Sequence, residues 1–531
     1  MAAVTKGADG PIPMFTAQDR IAWLLRVNRM CSPLPRLRSA RQFAKEFALP
    51  GMPELAPSQV SRWESGASSV SVAALRRYEE VLGLPGASLR HVRDAVLRWF
   101  DPRPMRAETT DGADVHHVLD RVRGTGSVDE ATWLAFCNVL RSHPGLVLHP
   151  RDLWDGVAYR LLTEMVSAEG GAWMVRQEAI SRMLEHADAM TATAIVCIDV
   201  AVDPGIPSYV EPISLLDGTP DSVASMFLAR QLGEPLNIRA RQAALQTVIR
   251  KARAGHFREP FTVGLLAQAA RELLAMDDHD LRTMPMTVDF VRLAPRWGVP
   301  VTPRWSRRIV EDPMVRSVWL DGLTLPVAQT GPLCRRLALS AQSRLEVELP
   351  AGDAMLAQLL QEMLFAADSD TRLYATLTVS ATPYRRPVAE LLAAELHNAL
   401  RLQFDPMTAT TMQAITILGE AGHRSLLIDL LADPNLGRPI RLSAANAAPH
   451  CSGDQSVDNW RRAFDVQRSA WLHNCDDAEA QVMDAITAAI GTAGNVKLLQ
   501  EMSVDALLPS STRMAAAWWL ANQPDRCAPE P

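Results

Sequence analysis

The segment Ala56–Gly66, APSQVSRWESG, reads as one short helix with two chemically different faces. Pro57 suits a first helical turn, where its missing N–H costs nothing, and Gly66 ends the run. Val60 and Trp63, three residues apart, fall on one side and can pack inward together. Ser58, Gln59 and Arg62 share the other side, which is polar and able to meet a major groove. Arg offers a fork to guanine, Gln to adenine, and Ser a hydroxyl to base edges or phosphate.

The flanking sequence supplies further short helices. Thr16 caps a helix running to about Met30, with Ile21, Leu24, Leu25 and Val27 at helical spacing. Ser39 caps SARQFAKEF, where Ala40, Phe43, Ala44 and Phe47 line one face. Ser71 caps VAALRRYEEVLGL, whose stripe is Ala74, Leu75, Tyr78, Val81 and Leu82. SLRHVRDAVLRWF follows, and DPRPMRAETTDGAD (101–114) reads as a linker.

This group of helices resembles the Cro/C1-type (XRE) helix-turn-helix family of transcriptional regulators. The family's second motif helix commonly reads Ser-Pro-Ser-x-Ile-Ser-Arg-x-Glu-x-Gly. Ten of the eleven positions of 56–66 are identical or conservative, Ala56 being the exception. RQFAKEF is similar to the first motif helix and VAALRRYEEVLGLP to the helix that follows the motif. The likeness covers about residues 17–85. It implies base readers at Pro57, Ser58 and Arg62, with Gln59 as a supplementary contact. It implies phosphate contacts from Ser39, Arg41 and Lys45, helped by Arg36 and Arg38, since a helix N-terminus favours an anion. Glu64 matches a structural position expected to pair with Arg26, and Val60, Trp63 and Gly66 are expected to be structural as well. The links ALPGMPELA and CSPLPRL are longer than the family's, and Ala40 stands where Gln is frequent. The family also implies a homodimer that reads a palindromic double-stranded DNA operator.

The charge distribution fits such a head. Residues 1–105 hold 15 Lys and Arg against 9 Asp and Glu, while the whole chain carries −6. A head at +6 therefore sits on a body at −12, a footprint of a nucleic-acid-binding module joined to something else. At 531 residues the chain is too long for one core. A 48% hydrophobic and 21% charged composition, rich in Ala and Leu, excludes disorder and favours helix. No apolar run is long enough to span a membrane, and the N-terminus lacks a signal-peptide layout. The expected location is the bacterial cytoplasm. Seven scattered cysteines with no CxxC read as reduced thiols.

From about 115 to 525 the pattern is helix, short turn, helix. Only TAIVCIDVAV (193–202) reads as a candidate strand. An Arg-x-x-small echo recurs at Arg176, Arg241, Arg316, Arg372, Arg441 and Arg513. EDPMVRSVWLDGL and DPNLGRPIRLSAANA resemble HEAT repeats, in which small residues let helices approach while the Arg reaches the adjoining turn. Trp518 and Trp519 are placed to close such an array.

The sequence holds no P-loop, GxGxxG, GxSxG or HExxH. His450, Cys451, His473 and Cys475 invite a zinc reading, which adjacent ligands and a wide separation argue against. No catalytic residue, metal or cofactor is expected. The resulting expectation is all-α. It comprises a flexible stretch 1–15, a helix-turn-helix DNA-binding domain 16–104, a linker 105–114 and an α-solenoid of HEAT-like hairpins over 115–525. The body would bind a protein or peptide partner or mediate oligomerisation. The alternative is an interaction scaffold whose helix-turn-helix does not read DNA.

Overall fold

The computed structural model describes residues 15–48, 55–100, 114–124, 126, 128–168, 170–203, 206, 210–275, 284–345, 347, 352–401, 407–452 and 457–522. Among these the chain forms 28 α-helices, four short 3-10 helices and no strand, with one isolated antiparallel bridge between Leu323 and Ala366. The all-helical expectation holds. The candidate strand is a helix, Met190–Val202, in which Thr193, Ala194, Val196, Cys197, Val200 and Ala201 are buried. An apolar run alone does not separate a strand from a buried helix. This helix has neighbours on several sides, including Asp152–Ser167, Gly170–Glu185 and Ser222–Gly233, so it is apolar nearly all round.

The chain folds as two compact units, each assembled from separated stretches. One joins Met1–Pro104 with Leu320–His423, and the other joins Met105–Trp319 with Arg424–Pro531. The first unit opens with α1 (Ala17–Met30), α2 (Ala40–Phe47), α3 (Pro57–Glu64), α4 (Val72–Leu82) and α5 (Ser88–Phe100). Thr16 caps α1 in a reciprocal box. Its hydroxyl accepts from the Asp19 N–H at 3.2 Å, and its own N–H donates to Asp19 Oδ2 at 2.9 Å. Ser71 caps α4 through the Ala74 N–H. Ser39 occupies the N-cap position of α2, but its hydroxyl makes no capping bond. Much of the ALPGMPELA link (49–54), most of the 101–114 linker and the N-terminal stretch to residue 14 lie outside the described residues. The CSPLPRL link contains a 3-10 turn, Pro35–Arg38, that buries Leu37.

The arginine echo has a structural counterpart. Arg241, Arg316, Arg372, Arg441 and Arg513 each stand fourth in their helices, which begin at Ile238, Pro313, Ser369, Arg438 and Ser510. Each backbone N–H donates to the carbonyl just before its helix, on Asn237, Asp312, Asp368, Gly437 and Pro509. Arg372 and Arg441 reach the preceding turn, at the carbonyls of Ala366 and Ala367 and of Leu436. Arg176 stands deeper in Gly170–Glu185 and reaches the Val128 carbonyl. Arg316 is exposed.

Candidate nucleic-acid interface

Helix α3 is fixed from behind. Val60, Trp63 and Glu64 are buried. Trp63 belongs to an aromatic cluster with Phe47 and Tyr78, onto which Phe43 also packs. Such offset and edge contacts add to the burial of each ring. Gly66 ends the helix at a φ of +76°, a conformation that costs glycine nothing, and sits against Asp19, Gln18 and Ala22 of α1.

Glu64 is the centre of a buried polar network, and its partner corrects the expectation. It pairs with Arg29, not Arg26: Arg29 Nε and Nη2 donate to its two oxygens at 2.6 and 2.7 Å. Tyr78 donates its hydroxyl to the same carboxylate at 3.0 Å. The remaining arm of Arg29 donates to the Arg38 carbonyl. Arg26, one turn earlier, points to solvent. Burial works against the Arg29 charge, but the Glu64 hydrogen bond and charge outweigh it and raise its pKa. Burial, with Glu64 beside it, pushes the Tyr78 phenol far above its usual range. The network locks α1, α3 and α4 together with few unmet donors.

The opposite side of α3 faces water. Pro57, Ser58, Ser61 and Arg62 are exposed, so Ser58 and Arg62 are free to meet a ligand. Gln59 is half-buried and donates to the Ser68 hydroxyl at 3.3 Å, which holds its amide in the loop after the helix. On and before α2, Ser39, Arg41 and Lys45 are exposed. Arg36 is exposed and lies 3.4 Å from Glu46, a contact that water and salt make weak. Arg38 is half-buried, and its Nε donates to the Ser32 carbonyl at 2.9 Å. It ties down the turn. Arg76, absent from the expected set, is a further exposed cation on α4. Its place opposite Leu75 and Tyr78 in the helical period was readable.

The zinc arrangement shows no such convergence. Cys451 is buried while His473 and Cys475 are exposed, and no described group of three or more His, Cys, Asp or Glu is placed to hold a metal ion. No described helix is long and apolar enough to cross a membrane. No family model matches the chain, and no curated protein matches it.

Proposed function

We propose that the chain is a sequence-specific DNA-binding regulator of transcription, in which α2 and α3 act as a helix-turn-helix. The observation that carries this reading is the split of α3. Its inner face is bolted to α1 and α4 through Glu64, Arg29, Tyr78 and Trp63, and its outer face offers Ser58, Ser61 and Arg62 to water. A helix held this rigidly meets a groove without a large ordering cost. Exposed Arg41 and Lys45 supply phosphate contacts, and Arg62 supplies the base fork.

The remaining helices act as HEAT-like repeats. The recurring Arg at the fourth helical position, tied into the turn before its helix at Arg372 and Arg441, supports that reading. In this reading the repeats take a protein or peptide partner or join two copies over a palindromic operator, in the bacterial cytoplasm. Selection of duplexes from a random-sequence DNA library with the full chain tests the proposal. Enrichment of one motif is the expected result. A chain that binds all duplexes alike, or none, would be a scaffold that does not read DNA.

A further inference from the structure

A helix on the surface of a small domain needs one apolar stripe, yet α1 is buried on two. Ala22, Leu25 and Arg29 share the stripe of Gln18, which donates to the Ser68 carbonyl just beyond α3 at 3.2 Å. The second stripe carries Arg20, Trp23, Leu24, Val27 and Asn28, also buried. Its hydrogen-bonding partners beyond the helix lie more than 300 residues away in the same unit. Arg20, only 2% exposed, forks onto Glu362 at 2.7 and 2.6 Å and lies over the Phe100 ring of α5. Trp23 donates its indole N–H to Asp353 at 2.8 Å and stacks flat on Tyr384. Asn28 donates to the Ala381 carbonyl at 2.8 Å, and Trp99 of α5 stacks on Tyr374.

Two of the far partners also have a task of their own. Asp353 caps the helix Ala354–Phe365 through the Leu356 N–H, and Glu362 accepts from Gln358 in that helix at 2.6 Å. A cap shared with Trp23 ties the order of this helix to the seat of α1. A buried Arg–carboxylate fork adds direction, because it is satisfied in only one relative placement of its two helices. Arg29 on one side and Arg20 on the other thus register α3 against Ala354–Phe365 through a single helix.

We infer that Asp353 and Glu362 are positioning residues for DNA recognition: they set the pose of α3 through α1 while standing outside the DNA-facing surface. This rests on the DNA-binding reading above. Breaking the fork or the indole bond lets α1 shift and tilts the base-reading face. Phosphate contacts from mobile exposed side chains adapt to such a tilt, whereas a two-bond base contact does not.

The test uses the full chain, a duplex recovered by selection and a random duplex of equal length. Glu362→Gln keeps the side-chain shape, and Trp23→Phe keeps the ring on Tyr384 while removing only the N–H. Glu362→Gln is expected to weaken binding to the selected duplex about tenfold and to the random duplex by less than about twofold. Trp23→Phe is expected to shift the same ratio in the same direction by a smaller factor. Faster amide exchange in 57–64 should accompany both. An unchanged ratio in both variants overturns the inference, and so does an equal loss on the two duplexes, the mark of partial unfolding. A wild-type chain that shows no preference for any duplex overturns the DNA reading and this inference together. A wild-type preference that survives both substitutions removes the positioning role alone.

Discussion

Gly491 lies flush against the indole of Trp519: a Cβ on Gly491 would stand 2.2 Å from Cδ2 and 2.4 Å from Cγ and Cε2. Gly491 is near the end of the helix Asp477–Thr492, and Trp519 belongs to the last described helix, Ser510–Ala521. Asp484 holds that last helix by accepting from the hydroxyls of Ser511 and Thr512 at 3.0 and 2.6 Å. Two effects compete in Gly491→Ala. Helix propensity favours Ala by up to about 1 kcal/mol, while overpacking costs roughly 1–3 kcal/mol. Trp519 is buried, and the atoms in the way belong to its rigid indole ring, so packing wins and the variant melts lower. Gly264 in Pro260–Ala275 meets nothing within 4 Å, so Gly264→Ala should melt slightly higher. Opposite signs for the same substitution are the expected outcome. A rise for Gly491→Ala would mean that Trp519 does not seal this end of the chain.

The pairing of Glu64 with Arg29 gives a second contrast. Glu64→Ala leaves the Arg29 guanidinium and the Tyr78 hydroxyl buried without their acceptor, and loss of one partner of a buried pair costs about 3–5 kcal/mol. Arg26→Ala removes an exposed cation and should stay within about 0.5 kcal/mol of wild type. Urea unfolding of the two variants measures both. Similar losses would restore Arg26 as a partner.

The limits of the sequence reading follow from the range of each interaction. Thr16 and Ser71 were legible because a cap acts within three residues. The faces of α3 were legible because Val60 and Trp63 sit at one helical period. Arg26 and Arg29 share one helix and one charge, and only the placement of Tyr78 and the Arg38 carbonyl chooses between them. Arg38 itself reads as a surface cation until the turn at Ser32 folds beneath it. Glu362 and Asp353 are invisible to any local window, since their partners on α1 lie more than 300 positions away. Buried Arg20 and Trp23 were the available hint, because two charged or polar-tipped residues on a packed stripe require partners.

His91 sets a pH dependence. It is buried on α5, and burial lowers its pKa from 6.5 to about 4, with Asp94 acting against that shift and Arg90 adding to it. The folded chain therefore keeps His91 neutral down to about pH 4, while the unfolded chain takes up the proton near 6.5. Stability from this group is complete above pH 6.5 and is lost as pH falls towards 4. At about 1.4 kcal/mol per unit the loss between pH 6.5 and pH 4.5 approaches 3 kcal/mol. His91→Gln should be less sensitive than wild type by that amount when urea unfolding at pH 7 is compared with pH 4.5. Parallel pH profiles for the two proteins would refute the assignment.

The proposed DNA face predicts different effects of substitution at Arg62 and Arg41. Both are exposed, so neither substitution disturbs the core, and any change in binding reports on the interface. Arg62 stands on the outer face of α3, where a guanidinium can fork onto one base, and such a contact is worth about 1–3 kcal/mol of discrimination. Arg62→Ala should therefore weaken the selected duplex by that amount and leave a random duplex nearly unchanged. Arg41 lies in the first turn of α2, where charge and helix dipole favour a phosphate. Arg41→Ala should weaken both duplexes alike and reduce the slope of log affinity against log salt by about one. Titrations at several salt concentrations read both quantities from the same data. If Arg62→Ala weakens random and selected duplexes equally, α3 binds backbone only, and recognition must come from another surface of the chain.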